Sequence, residues 1–408
     1  MSTSPASKVL FIGLVWPEPT SSAAGYRILQ LVENFAKRGY QIHFASAAQK
    51  TERSSVFAED VFTHDILLNE DSFNEWIKKL QPQIVVYDRF MIEEQYGWRV
   101  RKECPHTITI LDTEDLHFVR KAREMAFKKQ QEINFFTDDA KRELASILRC
   151  DLSLIISKEE MKILESFQIP TEKLVYLPFS EKFLSDEHFH LLPSFTSRNH
   201  FCFIGNFLHE PNYQTVLQLK KIFWPRIKKI LPHAEIHIYG AYPTQKIWDL
   251  DQPQDRFYIK GSAACVSDML QNYRVMLAPI PFGAGIKGKF VDGAKAKIPN
   301  VTTSMGAESM YSEQWNGFVC DDIDDFVNKA ILLYTDEMIW NEKVKNGQNL
   351  INIYYADASY ALRLFKKIDV ISQNVQAYRN AFFIGEILFH QQMQASKYLS
   401  LWIMEKNK

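Results

Sequence analysis

The chain has 408 residues, more than one domain of ordinary size, so two or three domains of ~150 residues each are expected. Hydrophobic residues at 46% and charged residues at 24% describe a globular protein and exclude a disordered or fibrous one. A net charge of -1 offers no basic surface for nucleic acid, and no stretch approaches the ~18 uninterrupted apolar residues of a membrane span.

Residues 8–15 form an apolar run expected to be a parallel strand buried on both faces. The run is too short for a secretory leader and is interrupted by Trp16-Pro17. With five scattered cysteines and no CxxC pair, this points to a cytoplasmic protein with reduced thiols. A helix over about residues 26–38 follows, with Ile28, Leu31, Val32 and Phe35 on its inward stripe and Gly39 ending it, and then a strand over 41–46. This unit puts residues 22–25 at a helix N-terminus beyond the carboxyl end of a strand, where open α/β sheets bind ligands. Arg27, in the first turn, either reaches an anion there or is a solvated arginine at a helix start.

A helix over 71–80, a strand over 84–87 ending in Asp88, a helix over 91–103 and a strand over 107–111 continue the alternation. The block Asp112-Thr-Glu-Asp115-Leu-His117-Phe-Val-Arg120 gathers acids, a histidine and an arginine at a strand end. It reads as hydrogen-bonding groups for a polar substrate, with Asp115 or His117 as a general base, or else as caps for the next helix. With no second histidine nearby and few converging carboxylates, no metal site is expected. A charged helix over 119–149, a strand over 152–156 and Ser157-x-x-Glu160 as a capping box come next. The polar segment 180–199 reads as an interdomain linker.

A strand over 200–204 restarts the rhythm, followed by Gly205-Asn206 and a helix that opens near Pro211 and runs to about Leu231. Strands follow over 235–240 and 257–259, and His200, His233 and His237 read as structural. The strand over 275–279 leads into Gly283-Ala-Gly285-Ile286-Lys287-Gly288-Lys289, then a helix and a strand over 301–303. Glycines that let backbone approach a ligand, a helix start and two lysines make this loop a diphosphate site. The loop also spells G-x-G-x-x-G with Glu308 as the distal acid, but it lies too late in the chain for a dinucleotide fingerprint. It spells G-x-x-x-x-G-K as well, but Phe290 stands where a P-loop needs Ser or Thr. The helical, aromatic tail is expected to pack across the first domain, with at most peripheral membrane contact. The expected segments are 1–190, 191–360 and 361–408, with a ligand held between the first two.

Four pieces in this order carry a resemblance: Pro17-Glu-Pro through Ala24-Gly25-Tyr-Arg27; residues 111–120; Phe203-Ile-Gly205-Asn206 through Asn212; and Gly283–Lys289 through Glu308. Residues 88–98 and Lys397-Tyr-x-x-x-Trp402 add to it. The chain resembles a GT-B glycosyltransferase of the large retaining family 4 group (glycosyl transferases group 1). The resemblance implies an α/β protein with two Rossmann-like domains facing a central cleft, and C-terminal helices packed back on the first. It implies retaining, metal-independent transfer of a sugar from a nucleotide-diphosphate sugar to a saccharide or other glycan-type acceptor, with no resident cofactor. Gly205, Asn206, Gly283, Gly285, Ile286, Lys287 and Gly288 would hold the diphosphate, completed by Gly25 and Arg27, with Asp292 on the ribose and Glu308 beside the loop. His117, Asp115 and Lys287 would serve the chemistry, and Asp88, Asp112 and Arg120 the acceptor side. Family glutamates are replaced by Ala284 and Asp292, which keeps two alternatives open: a catalytically silent nucleotide-sugar-binding protein and a nucleotide-sugar epimerase.

Overall fold

The computed structural model describes residues 7–406, without the side chains of Met393, Gln394, Ser396, Lys397, Ser400, Leu401 and Met404; Lys397 of the expected tail motif therefore lies outside the described residues. Seven parallel strands build the first sheet: β1 (Lys8–Gly13), β2 (Gln41–Ser46), β3 (Val61–Asp65), β4 (Ile84–Asp88), β5 (Ile108–Asp112), β6 (Leu152–Ile155) and β7 (Leu174–Tyr176), in the order β3-β2-β1-β4-β5-β6-β7. Six more build the second: β8 (Asn199–Ile204), β9 (Ile236–Tyr239), β10 (Phe257–Gly261), β11 (Tyr273–Ala278), β12 (Asn300–Thr302) and β13 (Gly317–Val319), in the order β10-β9-β8-β11-β12-β13. In both sheets the strand order reverses beside the first strand, β1 or β8, and that switch point opens a crevice at the carboxyl ends. The apolar strands are covered on both faces. Two buried clusters flank the first sheet and one continuous core fills the second domain around Trp224 and Trp340.

The structure changes several expectations. The single helix over 119–149 is two helices, His117–Lys129 and Asp138–Arg149. Gln130 turns left-handed at φ 52° and Thr137 caps the second helix through Ala140 N, so the chain folds back between them. Segment 180–199 is not a free linker: it contains the helix Asp186–Leu191 and buries Leu184, Phe189 and Phe195 in the second core. The helix from Glu210 is interrupted by a π-turn at Leu219–Phe223 before it resumes over Trp224–Ile230. At the Ser157 capping box the hydroxyl accepts from Glu160 N, but the Glu160 carboxylate does not turn back to its own helix.

The tail does pack on the first domain. Leu364, Phe365, Ile368 and Ile371 join the core on one face of the first sheet. The Arg379 guanidinium binds both Asp151 carboxylate oxygens at 2.8 Å and donates to the carbonyls of Pro105 and Thr107. Gly385 lets the last helix, Phe383–Lys406, touch the first domain closely: a Cβ there would stand 2.3 Å from the Leu148 carbonyl oxygen. Among the described residues no helix is long and apolar enough to cross a membrane.

Candidate active site

The carboxyl ends of the two sheets face each other across a cavity of about 480 Å³. Its second-domain wall is the loop after β11. Gly285 takes φ 61°, which only glycine adopts freely, and its N–H donates to Glu160 of the first domain at 2.8 Å. Lys287 caps the helix Gly288–Lys295, whose first turn opens into the cavity. A Cβ at Gly288 would sit 2.8 Å from the Ala23 Cβ, so the helix starts of the two domains touch. Gly205 lies under Asn212, whose carboxamide oxygen holds the Lys289 ammonium at 2.8 Å. Burial lowers Lys287 to about 8, with Glu308 opposing the shift, and burial and the neighbouring Lys287 lower Lys289 to about 7. These two cations beside a helix N-terminus have the chemistry of an anion site.

Further along the same helix, Asp292 lines the cavity, and burial raises its carboxyl to about 6. A bridge between the domains stands beside it: Lys295 Nζ lies 2.7 Å from Glu181 Oε2, which also accepts from the Tyr26 hydroxyl at 3.2 Å.

The first-domain wall contains Arg89, Glu114, Asp115, His117 and Arg120. Burial drives His117 down to about 4 and leaves the imidazole neutral. Asp115 is held below the ordinary carboxylate range against its burial, chiefly by Arg120, whose Nε is 3.4 Å away, and by His117. The helix that begins at His117 has its first N–H groups taken by buried carboxylates, with Glu143 on His117 and Phe118 and Glu160 on Leu116. The N–H groups of Leu116, His117 and Phe118 at that helix start are therefore spent within the protein and not offered to a ligand.

The structure thus brings Gly205, Asn206, Gly283, Gly285, Ile286, Lys287, Gly288, Asp292, Asp115, His117 and Arg120 to one cavity. It withholds five others. Arg27 is 1% exposed and grips fully buried Asp112, with Nη2 to Oδ1 at 2.8 Å, while its Nη1 donates to the Leu177 carbonyl. A buried guanidinium whose donors are spent on a carboxylate and a carbonyl reaches no diphosphate, and Asp112 reaches no acceptor. Asp88 is buried, accepts from Leu14 N at 3.0 Å and faces the strand ends. Gly25 does not line the cavity; a Cβ there would lie within 2.6 Å of the Glu18 backbone, so the glycine lets the loop fold over the helix start. Glu308 is committed to Arg123 at 2.7 and 2.8 Å, and Arg123 also donates to the Gly283 carbonyl, tying the loop to the first domain. Sequence reasoning missed Arg89, the inter-domain role of Glu160 and the Tyr26–Glu181–Lys295 bridge, and it read Glu114 only as one acid of its block. Lys289, the second lysine of the loop expected to hold a diphosphate, does line the cavity.

The family model described as glycosyl transferases group 1 matches residues 198–336, the whole of the second sheet with its glycine–lysine loop. The second domain is similar to that of the group 1 glycosyltransferases. Solved structures extend the likeness in fold across both domains of this glycosyltransferase architecture. Sucrose-phosphate synthase from Thermosynechococcus elongatus has a TM-score of 0.67 at 14% identity, over 92% of this chain and 99% of that one. Anabaena HepE, in complex with UDP and glucose, has a TM-score of 0.65 at 10% identity, over 89% of this chain and 99% of that one. S. aureus TarM, in complex with UDP, alpha-GlcNAc-glycerol and fondaparinux, has a TM-score of 0.56 at 13% identity, over 72% of this chain; the present chain spans 58% of its length. These likenesses establish the GT-B fold, two Rossmann-like domains about a cleft. No curated protein matches the sequence.

Proposed function

We propose that the protein moves a sugar from a nucleoside-diphosphate sugar to a saccharide or other glycan-assembly acceptor, with retention of configuration and without a metal. The observation that carries this reading is the pair of cavity lysines, Lys287 and Lys289, at the start of helix Gly288–Lys295 inside the group 1 domain. As the bond from the anomeric carbon to the phosphate oxygen breaks, the leaving diphosphate gains charge, and the two ammonium groups and the helix N-terminus meet it. This is the role a divalent cation fills in other transferases. In this reading Asp292, which lines the cavity, bonds the ribose. Its carboxyl is one methylene shorter than the family's glutamate.

The acceptor lies against the first domain and attacks from the leaving-group side. Neutral His117 and ionised Asp115, held by Arg120, orient the sugar and the acceptor. Contacts between the domains, including Arg123–Glu308 and Ser157 to Ser309 at 2.8 Å, keep the cleft closed against water and limit donor hydrolysis. UDP in the HepE and TarM structures makes uridine the first base to try. Five unpaired cysteines suit a reducing compartment, consistent with work in the cytoplasm.

A second reading, nucleotide-sugar binding without turnover, is favoured by one feature: Ala284 stands where the family has a glutamate. Thermal-shift measurements with nucleoside diphosphates and nucleotide sugars, with and without EDTA, test both. A selective, EDTA-insensitive shift that Lys287→Ala removes is expected. Release of nucleoside diphosphate from the bound donor then supports transfer, and binding with no release over a panel of acceptors supports the silent protein. No shift with any nucleotide would sink both readings.

A further inference from the structure

Two arginines on the first-domain wall have donors that the protein leaves unused. Arg89 stands just beyond the end of β4 as the N-cap of helix Phe90–Glu103, and Arg120 lies in the first turn of helix His117–Lys129. Both line the cavity, and their side chains are 16% and 18% exposed. Each meets one carboxylate through Nε without making a hydrogen bond, Asp88 at 3.6 Å and Asp115 at 3.4 Å. Among the described residues neither guanidinium donates a hydrogen bond to the protein, and none of their nitrogens is sealed from solvent. Other guanidiniums of the fold are occupied: Arg27 by Asp112 and the Leu177 carbonyl, Arg123 by Glu308 and the Gly283 carbonyl, Arg379 by Asp151 and two carbonyls.

Both charges act on the same three groups, Asp115, His117 and His209, so they converge on one recess. Burial lowers each of the two imidazoles to about 4, which leaves them neutral. Asp88 accepts from Leu14 N and does not line the cavity, and Glu114, raised by burial to about 8, keeps its proton at neutral pH. Asp115 is left as the ionised carboxylate facing the two guanidiniums. The backbone of Arg89 is left-handed at φ 72° and pinned by its N–H to the Asp112 carbonyl at 2.8 Å, a strained conformation of the kind that gathers at functional sites. The planar fork of an arginine matches a carboxylate or a phosphate with two parallel hydrogen bonds.

The donor's diphosphate has its own cations across the cleft, Lys287 and Lys289 on the second domain. Resting on the transferase reading, we propose that Arg89 and Arg120 bind an oxyanion on the acceptor, a phosphate or a carboxylate, so that the acceptor is an acidic saccharide. The recess adjoins the donor loop: a Cβ at Gly285 would stand 3.0 Å from the Asp115 Cβ. An acceptor anchored by its anion therefore lies beside the reacting end of the donor. A neutral saccharide leaves both forks to water, and that difference is what selects the acidic one.

The test titrates the protein, alone and saturated with UDP, with glucose 6-phosphate, glucuronate and glucose by calorimetry. UDP release from UDP-glucose and UDP-N-acetylglucosamine is then followed with the same three acceptors. One acidic sugar should bind at least about 10-fold more tightly than glucose, and which of the two does so names the anion. R89Q and R120Q should each remove about 10–100-fold of that sugar's affinity, the scale of a hydrogen bond to a charged group, and raise its KM. Both should leave glucose binding and the UDP thermal shift unchanged, and R120K should recover part of the affinity. The proposal is overturned if glucose binds as well as both acidic sugars, or if R120Q weakens all three alike, as loss of the Asp115 pairing alone would. It is also overturned if the variants lose the UDP shift, which puts the arginines on the diphosphate, or selectively weaken UDP-glucuronate, which puts the anion on the donated sugar. A wild type that shifts with no nucleotide fails the transferase reading instead, and the titrations without UDP then judge the arginines.

Discussion

Lys287 and Lys289 bring two ammonium groups, pushed down to about 8 and about 7, to the mouth of one helix. Their folded state binds fewer protons than the unfolded chain between about 7 and the ordinary lysine value of 10.5, so their contribution to stability improves as pH rises through that window. A diphosphate reverses this by stabilising the charged forms. UDP binding at pH 8 is expected to take up protons, measured by calorimetry in buffers of different ionisation enthalpy, and affinity should weaken as pH rises above 7. Zero uptake would mean that the lysines do not meet the anion. Arg27 shows the opposite fate for a cation near a helix start. Arg27→Met should cost about 3–5 kcal/mol in denaturant unfolding, because it leaves Asp112 buried and unpaired. Loss of nucleotide binding at unchanged stability would contradict that placement. Its partner lies 85 residues away in sequence, which is why local spacing gave no sign of the pairing.

At the scale of elements, one carboxylate joins three of them. Glu160, on helix Lys158–Ser166, accepts from Leu116 N before helix His117–Lys129 and from Gly285 N in the glycine loop. Burial, then Asp115, raises it to about 8 from an ordinary 4.5. The folded state therefore holds a proton that the unfolded chain has released, and this contribution is complete below about 4.5 and lost as pH rises through 8. Glu160→Ala should cost about 1–3 kcal/mol through its unsatisfied N–H partners and shrink the nucleotide thermal shift by loosening Gly285. An unchanged shift would show that the loop is held without it. The sequence announced Ser157-x-x-Glu160 as a box closing on itself. Local spacing identified the serine's role correctly, but the glutamate's is set by what the fold places opposite it.

For the whole molecule, closure rests on a few named contacts: Arg123 to Glu308 and the Gly283 carbonyl, Tyr26 and Lys295 to Glu181, and the Tyr242 hydroxyl to Glu18 at 2.6 Å. Arg123→Gln should enlarge the radius of gyration in small-angle scattering, with recovery on saturation by UDP; an unchanged radius would show that closure does not depend on it. The sequence by itself determined the alternation of apolar strands and amphipathic helices, the two glycine-bearing halves, the lysine loop after β11 and the returning tail. Those features follow from hydrophobic periodicity and from turn and capping chemistry, which act between near neighbours in the chain. Only the tertiary structure decided that Arg27, Asp88 and Asp112 lie under the site, that Glu308 ties the domains, and that Glu114 and Arg89 enter the cavity with strained backbones. Charge pairing and burial depend on which strand ends and helix starts meet across the cleft, and no local spacing encodes that meeting.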